Sequence, residues 1–189
     1  LYDRRHIRRS HGLGNRRGRG IGRGICQMLA ENGAKVAINF QRNQAAAQET
    51  LALLAECGAE AILVQADVAS ETDVERMVEE IGAQFGSVDL LVNNAGIATS
   101  AEHGEFGFAE WQRMFAVNVD GPFLTTWAVK NQMIAQRFGR IVNISSLAAI
   151  QLKRNMIHYA TTKAAVVAFT RHTAHAFAEH NVHVNCLAP

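Results

Sequence analysis

Short apolar runs alternate along the chain with longer amphipathic stretches, and that alternation predicts a repeated strand–helix unit. Residues 35–40 (KVAINF), 60–65 (EAILVQ), 88–93 (VDLLVN), 140–145 (RIVNIS) and 182–187 (VHVNCL) predict five strands. Between them, residues 21–32, 44–57, 70–85, 110–138 and 158–180 carry apolar positions at helical period. Ser70-Glu71-Thr72-Asp73 opens the third of these as a capping signature, with Asp73 in a first turn that favours negative charge. Strands alternating with helices at this spacing mean parallel βαβ units with both sheet faces covered. The expected fold is therefore α/β, a single-domain doubly wound parallel sheet. Ligands of such sheets sit at the carboxyl ends of the strands, which is where most residues of chemical interest fall.

Composition narrows the class. At 189 residues, 48% apolar and 19% charged, the chain is long enough for one well-buried core and too short for two. It has no apolar run of membrane-spanning length and no signal-peptide pattern, so the expectation is a cytoplasmic protein without a membrane partner. Cys26, Cys57 and Cys186 are odd in number and fall in helix or strand patterns, which reads as reduced thiols. The eight histidines show no ligand spacing, and no metal is implied.

The strongest chemical signal is Tyr159-Ala160-Thr161-Thr162-Lys163, with Ser146 thirteen residues before Tyr159 and Asn118 further upstream. Side chains at i and i+4 are neighbours on a helix, so phenol and ammonium share one face. A fixed cation beside a phenol favours the phenolate and makes it a usable general acid near neutrality. Ser146 suits a hydroxyl that holds a carbonyl or alcohol oxygen; its surroundings, Ile144-Ser145-Ser146-Leu147, lack the G-x-S-x-G elbow of a nucleophilic serine. Tyr and Lys on an ordinary half-exposed helix face are the bland alternative. Gly20 and Gly22 precede a helix, so backbone there can approach a pyrophosphate at a helix N-terminus, or simply form a glycine-rich turn. Asp67, just past the third predicted strand, reads equally as an acceptor for an adenine amino group and as a turn former. Asn93 and Asn94 end the fourth, where amides can tie strands and line a cleft or merely terminate the strand. Asn118 sits mid-helix, against its propensity.

Taken in order, these motifs resemble the short-chain dehydrogenase/reductase family, and within it the 3-oxoacyl-(acyl carrier protein) reductases. The resemblance runs from about Arg19 to Pro189. Gly20-Ile21-Gly22 is similar to the end of the family's T-G-x-x-x-G-I-G phosphate turn, Asp67-Val68 to its adenine contact, and Asn93-Asn94-Ala95-Gly96 to its N-N-A-G. Asn118-Val119 matches its helix asparagine, and Ser146, Tyr159 and Lys163 take the places of its serine, tyrosine and lysine. Asn185-Cys186-Leu187-Ala188-Pro189 resembles the strand that leads into its P-G turn. One departure is local: Leu147-Ala148-Ala149-Ile150 has no glycine where the family often does.

The resemblance implies a Rossmann-type domain and hydride transfer between a nicotinamide cofactor and a carbonyl of a 3-oxoacyl thioester or similar small ketone. Asn118, Ser146, Tyr159 and Lys163 would be the catalytic set. Asn118 would open a kink and order a proton-relay water, and Lys163 would also hold the nicotinamide ribose. Arg19, Gly20, Ile21, Gly22, Arg42, Asp67, Val68, Asn94, Ala95, Gly96, Tyr159, Lys163 and Pro189 would contact the cofactor. The resemblance further implies a homotetramer or homodimer for the full-length enzyme. Cofactor choice is argued from Asn39-Phe40-Gln41-Arg42-Asn43, which has no acid to accept from a ribose 2′-hydroxyl. Arg42 and Arg19 offer guanidinium partners for a 2′-phosphate, so NADPH is expected over NADH.

Two segments depart from the family pattern. Residues 1–24 carry eight Arg against one Asp, a net +7 against −5 for the remainder. Residues 1–19 show no buried apolar strand, and Arg16 falls where the first turn glycine belongs, with Asn15 at the threonine. Reading the degenerate codons of residues 12–19 one base later permits Ala-Leu-Val-Thr-Gly-Ala-Gly, after which restoring a base continues as Arg-Gly-Ile-Gly; the same shift allows a start methionine at the Tyr2/Asp3 junction. The expectation is an aberrant, frameshifted segment at 1–19 in place of the first strand, followed by the domain at 20–189. An evolved basic arm for nucleic acid is the rival reading, and resequencing the encoding DNA separates them. Pro189 stops where a P-G turn, a substrate-covering loop, a helix and a strand would follow, so the chain is expected to be a partial domain. A non-catalytic dinucleotide-binding remnant, or a basic nucleic-acid-binding module, is therefore the alternative to an active reductase.

Overall fold

A computed structural model describes residues 20–101 and 105–189, together with the backbone of residues 11–15. The elements run β1 (His11–Asn15), α1 (Ile21–Glu31), β2 (Lys35–Phe40), α2 (Gln44–Glu56), β3 (Ala61–Gln65), α3 (Glu71–Phe85), β4 (Leu90–Asn93), α4 (Phe108–Phe115), α5 (Gly121–Ala135), β5 (Gly139–Ile144), α6 (Ile157–Phe177) and β6 (Val182–Leu187). The strands form one sheet in the order β3-β2-β1-β4-β5-β6, every pair parallel. This is a doubly wound sheet whose strand order reverses between β1 and β4, the place where such sheets open a ligand crevice.

Burial explains why the strands read as continuous apolar runs. Val36 and Ile38 of β2 face Cys26, Leu29 and Ala30 of α1 and Leu54 of α2. Ala37, between them, faces the other way and joins Val74, Met77 and Ile81 of α3 and Val129 and Met133 of α5. Each strand must therefore be apolar on both faces. Fully buried side chains such as Leu54, Met77 and Ile81 each contribute about 1.5–3 kcal/mol of transfer free energy. The capping signature forms as expected: Ser70 Oγ accepts from Asp73 N at 3.3 Å at the head of α3.

A buried polar ladder crosses this apolar interior and fixes the parts that bear the site. Thr125 Oγ1 donates to Asn93 Oδ1 (2.7 Å), Asn93 Nδ2 to Asn143 Oδ1 (2.8 Å), and Asn143 Nδ2 to Thr170 Oγ1 (2.9 Å). The chain of bonds ties α5, β4, β5 and α6 in fixed register, and a partly deleted ladder would leave buried amides unsatisfied. Asn93 thus ties neighbouring strands.

Two expectations are corrected. The stretch 110–138 is not one helix: α4 passes into a π-helical turn, Ala116–Asp120, before α5 begins. Pro122 stands at the start of α5 and lacks the N–H that residue 118 would otherwise receive. The Asn118 amide is drawn sideways to the backbone of Ile97, and a wider turn accommodates both. The second correction concerns residues 1–19, where no strand was expected. His11–Asn15 pairs in parallel with both β2 and β4, His11 opposite Lys35 and Leu13 opposite Leu91. His-Gly-Leu-Gly-Asn has poor strand propensity, but backbone ladders are independent of side chain, and the gap between two central strands offers unpaired groups on both sides.

Candidate active site

The carboxyl ends of β2 and β3 open into a cleft of about 450 Å³, lined by Gly22, Arg23, Gln41, Arg42, Asn43 and Asp67 and closed opposite by Ile97, Arg113 and Val117. Gly20, at the entry to α1, has φ +110, a left-handed conformation that favours glycine. Among the described residues no side chain caps the N-terminus of α1, so its first amides remain available to an anion. Asn39 is buried, with Nδ2 donating to the carbonyls of Val64 and Ala66 at 3.1 Å each. Its Oδ1 is buried without a partner among the described residues. A dinucleotide fits this set: a glycine-led helix N-terminus with free amides for the pyrophosphate, a cleft at the strand ends, and no acid from 39 to 43 to repel a 2′-phosphate.

The predicted contacts divide once they are placed. Arg42 is exposed at the cleft rim, and Arg19 lies outside the described residues. Asp67 lines the cleft, but Oδ2 accepts from Gln41 Nε2 and Oδ1 from Ala69 N at 3.1 Å, so it also shapes its own turn. Each carboxylate oxygen retains a lone pair for a further donor. Val68 and Ala95 are buried with Val117, forming apolar floor rather than polar contacts. Ile21 is exposed and Asn94 half-buried. Pro189 is drawn to the far end of the site, its carbonyl accepting from Leu147 N at 3.1 Å beside Ser146.

At that end β5 delivers Ser145 and Ser146, and α6 delivers Tyr159 and Lys163. Lys163 is 4% exposed, and its Nζ donates to the carbonyl of Ile144 at 2.8 Å and lies 5.8 Å from the Tyr159 ring centroid. Ser145 Oγ donates to the Lys163 carbonyl at 2.8 Å, which locks the strand end to the helix. Ser146 is half-buried, its Oγ accepting from Ala148 N at 3.2 Å. Asn118 is fully buried: Oδ1 accepts from Ile97 N (2.8 Å), while Nδ2 donates to Ile97 O (2.9 Å) and Thr162 Oγ1 (3.0 Å). Both Nδ2 hydrogens are thereby used, and only the second lone pair of Oδ1 remains for a water. Gly96 shows how tightly this converges, since a Cβ there would stand 3.3 Å from Asn118 Oδ1 and 3.4 Å from Lys163 Nζ.

Burial sets the electrostatics. Desolvation pushes the Lys163 ammonium down from 10.5 to about 8, opposed in part by its electrostatic interaction with Cys186. It therefore remains cationic at neutral pH with its proton weakly held. Burial pushes the Cys26 thiol the other way, up to about 11, which makes it an inert lining of the cleft. Sequence reasoning missed Asn39, Gln41, Arg23, Ser145 and Thr162. Arg23, bonded to Glu49 Oε2 at 2.7 Å and Thr50 Oγ1 at 3.3 Å, bridges α1 to α2 at the cleft wall. The local pattern marked none of these, because each acts through a partner more than ten residues away.

The sequence profile of a family described as short chain dehydrogenase matches residues 17–189. A 3-oxoacyl-(acyl-carrier-protein) reductase of Synechocystis sp. is 37% identical over 171 residues, covering 90% of this chain and 69% of the relative. Among solved structures, an NAD+-bound xylitol dehydrogenase superposes with a TM-score of 0.90 at 35% identity, over 95% of this chain and 69% of that one. A gluconate 5-dehydrogenase from Burkholderia cenocepacia, in complex with NADP and tartrate, gives 0.88 at 34% identity over 97% and 74%. Sequence, sheet order and cleft therefore agree, and the chain belongs to the short-chain dehydrogenase/reductase family, as an NAD(P)-dependent oxidoreductase resembling 3-oxoacyl-(acyl-carrier-protein) reductase.

Proposed function

We propose that the protein reduces the ketone of a 3-oxoacyl thioester or a similar small carbonyl compound with NADPH, using Asn118, Ser146, Tyr159 and Lys163. The observation that carries this reading is the convergence of Asn118 Oδ1 and Lys163 Nζ on Gly96, with Tyr159 one turn before the lysine. When bound, the nicotinamide supplies hydride to the carbonyl carbon. Ser146 and Tyr159 hold the carbonyl oxygen, and Tyr159 gives it a proton as negative charge builds there. Lys163 keeps a cation beside the phenol and reaches the ribose, and the free lone pair of Asn118 Oδ1 orders a water that returns protons towards Lys163. Gly20, Gly22 and the head of α1 hold the pyrophosphate.

The preference for NADPH rests on the cleft rim, where Arg42 stands among Gln41 and Asn43 with no carboxylate between 39 and 43. Arg42→Asp replaces a phosphate partner by a repelling charge and should shift preference towards NADH by about tenfold or more. The ratio of kcat/KM values for NADPH and NADH, with acetoacetyl-coenzyme A as carbonyl probe, measures it. An unmoved ratio would make Arg42 a solvated loop charge. A second copy of the chain is the proposed macromolecular partner, in a homodimer or homotetramer. Phe123 and Trp127 of α5, 40% and 42% exposed, cluster with Phe169 of α6 and offer an apolar face for it.

A further inference from the structure

His158, the residue before Tyr159, is fully buried and plays no part in the mechanism above. Its ring stacks on Phe106 with centroids 4.4 Å apart, and its Nε2 lies 2.7 Å from Thr99 Oγ1. The Thr99 hydroxyl in turn donates to Glu110 Oε1 at 2.9 Å, and Glu110 Oε2 meets Arg113 at 3.6 Å on the cleft wall. A threonine hydroxyl has one hydrogen, and here the carboxylate takes it. His158 must therefore be the donor to Thr99, with its proton on Nε2. The same loop is held twice more: Ala101 N donates to Asn155 O at 3.0 Å, and both backbone groups of Ile97 bind Asn118, which continues to Thr162.

We infer that Glu110, Thr99 and His158 form a positioning relay that clamps the loop at 97–101 onto the first turn of α6 and so sets the orientation of Tyr159. The inference rests on the catalytic role given to Tyr159 under the proposed function. A phenol that must meet a carbonyl oxygen in one geometry loses rate steeply when displaced, whereas the β2 and β3 ends of the cleft are lined by residues outside the relay. The relay is therefore expected to act on kcat more than on cofactor affinity.

The test compares Thr99→Val, which is isosteric but has no hydroxyl, with Thr99→Ser, which keeps the hydroxyl. With NADPH and acetoacetyl-coenzyme A, Thr99→Val should lower kcat about tenfold or more with KM for NADPH within about twofold, and Thr99→Ser should recover most of the rate. Equal behaviour of the two variants, or a change confined to KM, overturns the relay. Two readouts need no turnover. Nitrogen NMR of histidine-labelled protein, with His158 assigned through His158→Gln, should place its proton on Nε2; a proton on Nδ1 alone overturns the arrangement. The chain has two tyrosines, so carbon NMR of labelled Tyr159, assigned through Tyr159→Phe, reports its orientation directly. Its ring signals should move in Thr99→Val and stay in Thr99→Ser. Unmoved signals in Thr99→Val overturn the inference even if the enzyme is active. If the wild type is inert towards the probe, the proposed function fails, while the Tyr159 signals still decide the relay.

Discussion

Tyr159→Phe is expected to lower kcat for carbonyl reduction by about 10²–10⁴-fold while leaving the NADPH dissociation constant within a few fold. The phenol is half-buried in the first turn of α6, one turn from a buried cation, and is not among the residues that line the cleft at the ends of β2 and β3. In the proposed mechanism its hydroxyl stabilises charge that appears only in the transition state, so its loss should fall on the chemical step. Phenylalanine keeps the ring and the packing, which separates proton transfer from folding. Steady-state turnover with acetoacetyl-coenzyme A and a fluorescence titration with NADPH give the two numbers. Turnover at the wild-type rate would remove Tyr159 from the catalytic set.

Lys163→Met is expected to abolish reduction and at the same time stabilise the fold at neutral pH. The folded protein holds the Lys163 proton at about 8 against 10.5 for an exposed lysine, a difference of about 3 kcal/mol against the charged form. Losing the bond to the Ile144 carbonyl offsets part of the gain, leaving about 1–2 kcal/mol. The pH dependence has a definite sign. Because the folded value is depressed, the unfolded chain binds more protons at Lys163 between about pH 8 and 10.5, so the Lys163 contribution to stability rises with pH across that window. The penalty is fully present below about pH 8 and is relieved by about 10.5. The advantage of Lys163→Met should accordingly be largest at pH 7 and vanish near pH 10.5. Urea unfolding of both proteins at the two pH values measures it. An advantage that persists unchanged at high pH would contradict desolvation as the cause. A methionine more stable than the lysine at neutral pH would show a site that sacrifices stability for a buried cation.

Much of this architecture was legible because double burial leaves a plain mark on sequence. β2 and β6 read directly from their apolar runs, and Ser70 with Asp73 announced the head of α3. The Tyr159 to Lys163 spacing needed only a helix to put both on one face, and α6 provides it. β1 was invisible for the opposite reason. His-Gly-Leu-Gly-Asn carries one apolar residue, and what makes it a strand is the pair of ladders waiting on β2 and β4 rather than its own side chains. The π turn at Ala116–Asp120 was hidden by a hydrophobic period that runs on through it, although Pro122 held the clue. In the cleft, Asp67 was named for an adenine, yet its bond from Gln41 spans 26 residues of sequence and no local pattern encodes it. The Asn118 contacts to Ile97 and Thr162 are of the same kind, since they exist only after β4 and α6 have packed together.

The site is proposed to move hydride from a nicotinamide to a carbonyl carbon. The most direct test gives the protein acetoacetyl-coenzyme A and NADPH deuterated at the reactive nicotinamide carbon, and analyses the product by mass spectrometry. The expected product is a 3-hydroxyacyl thioester with deuterium on the new carbinol carbon from one face of the nicotinamide, and no such product from Tyr159→Phe. A reduced product without deuterium from either face, or equal product from Tyr159→Phe, would contradict it.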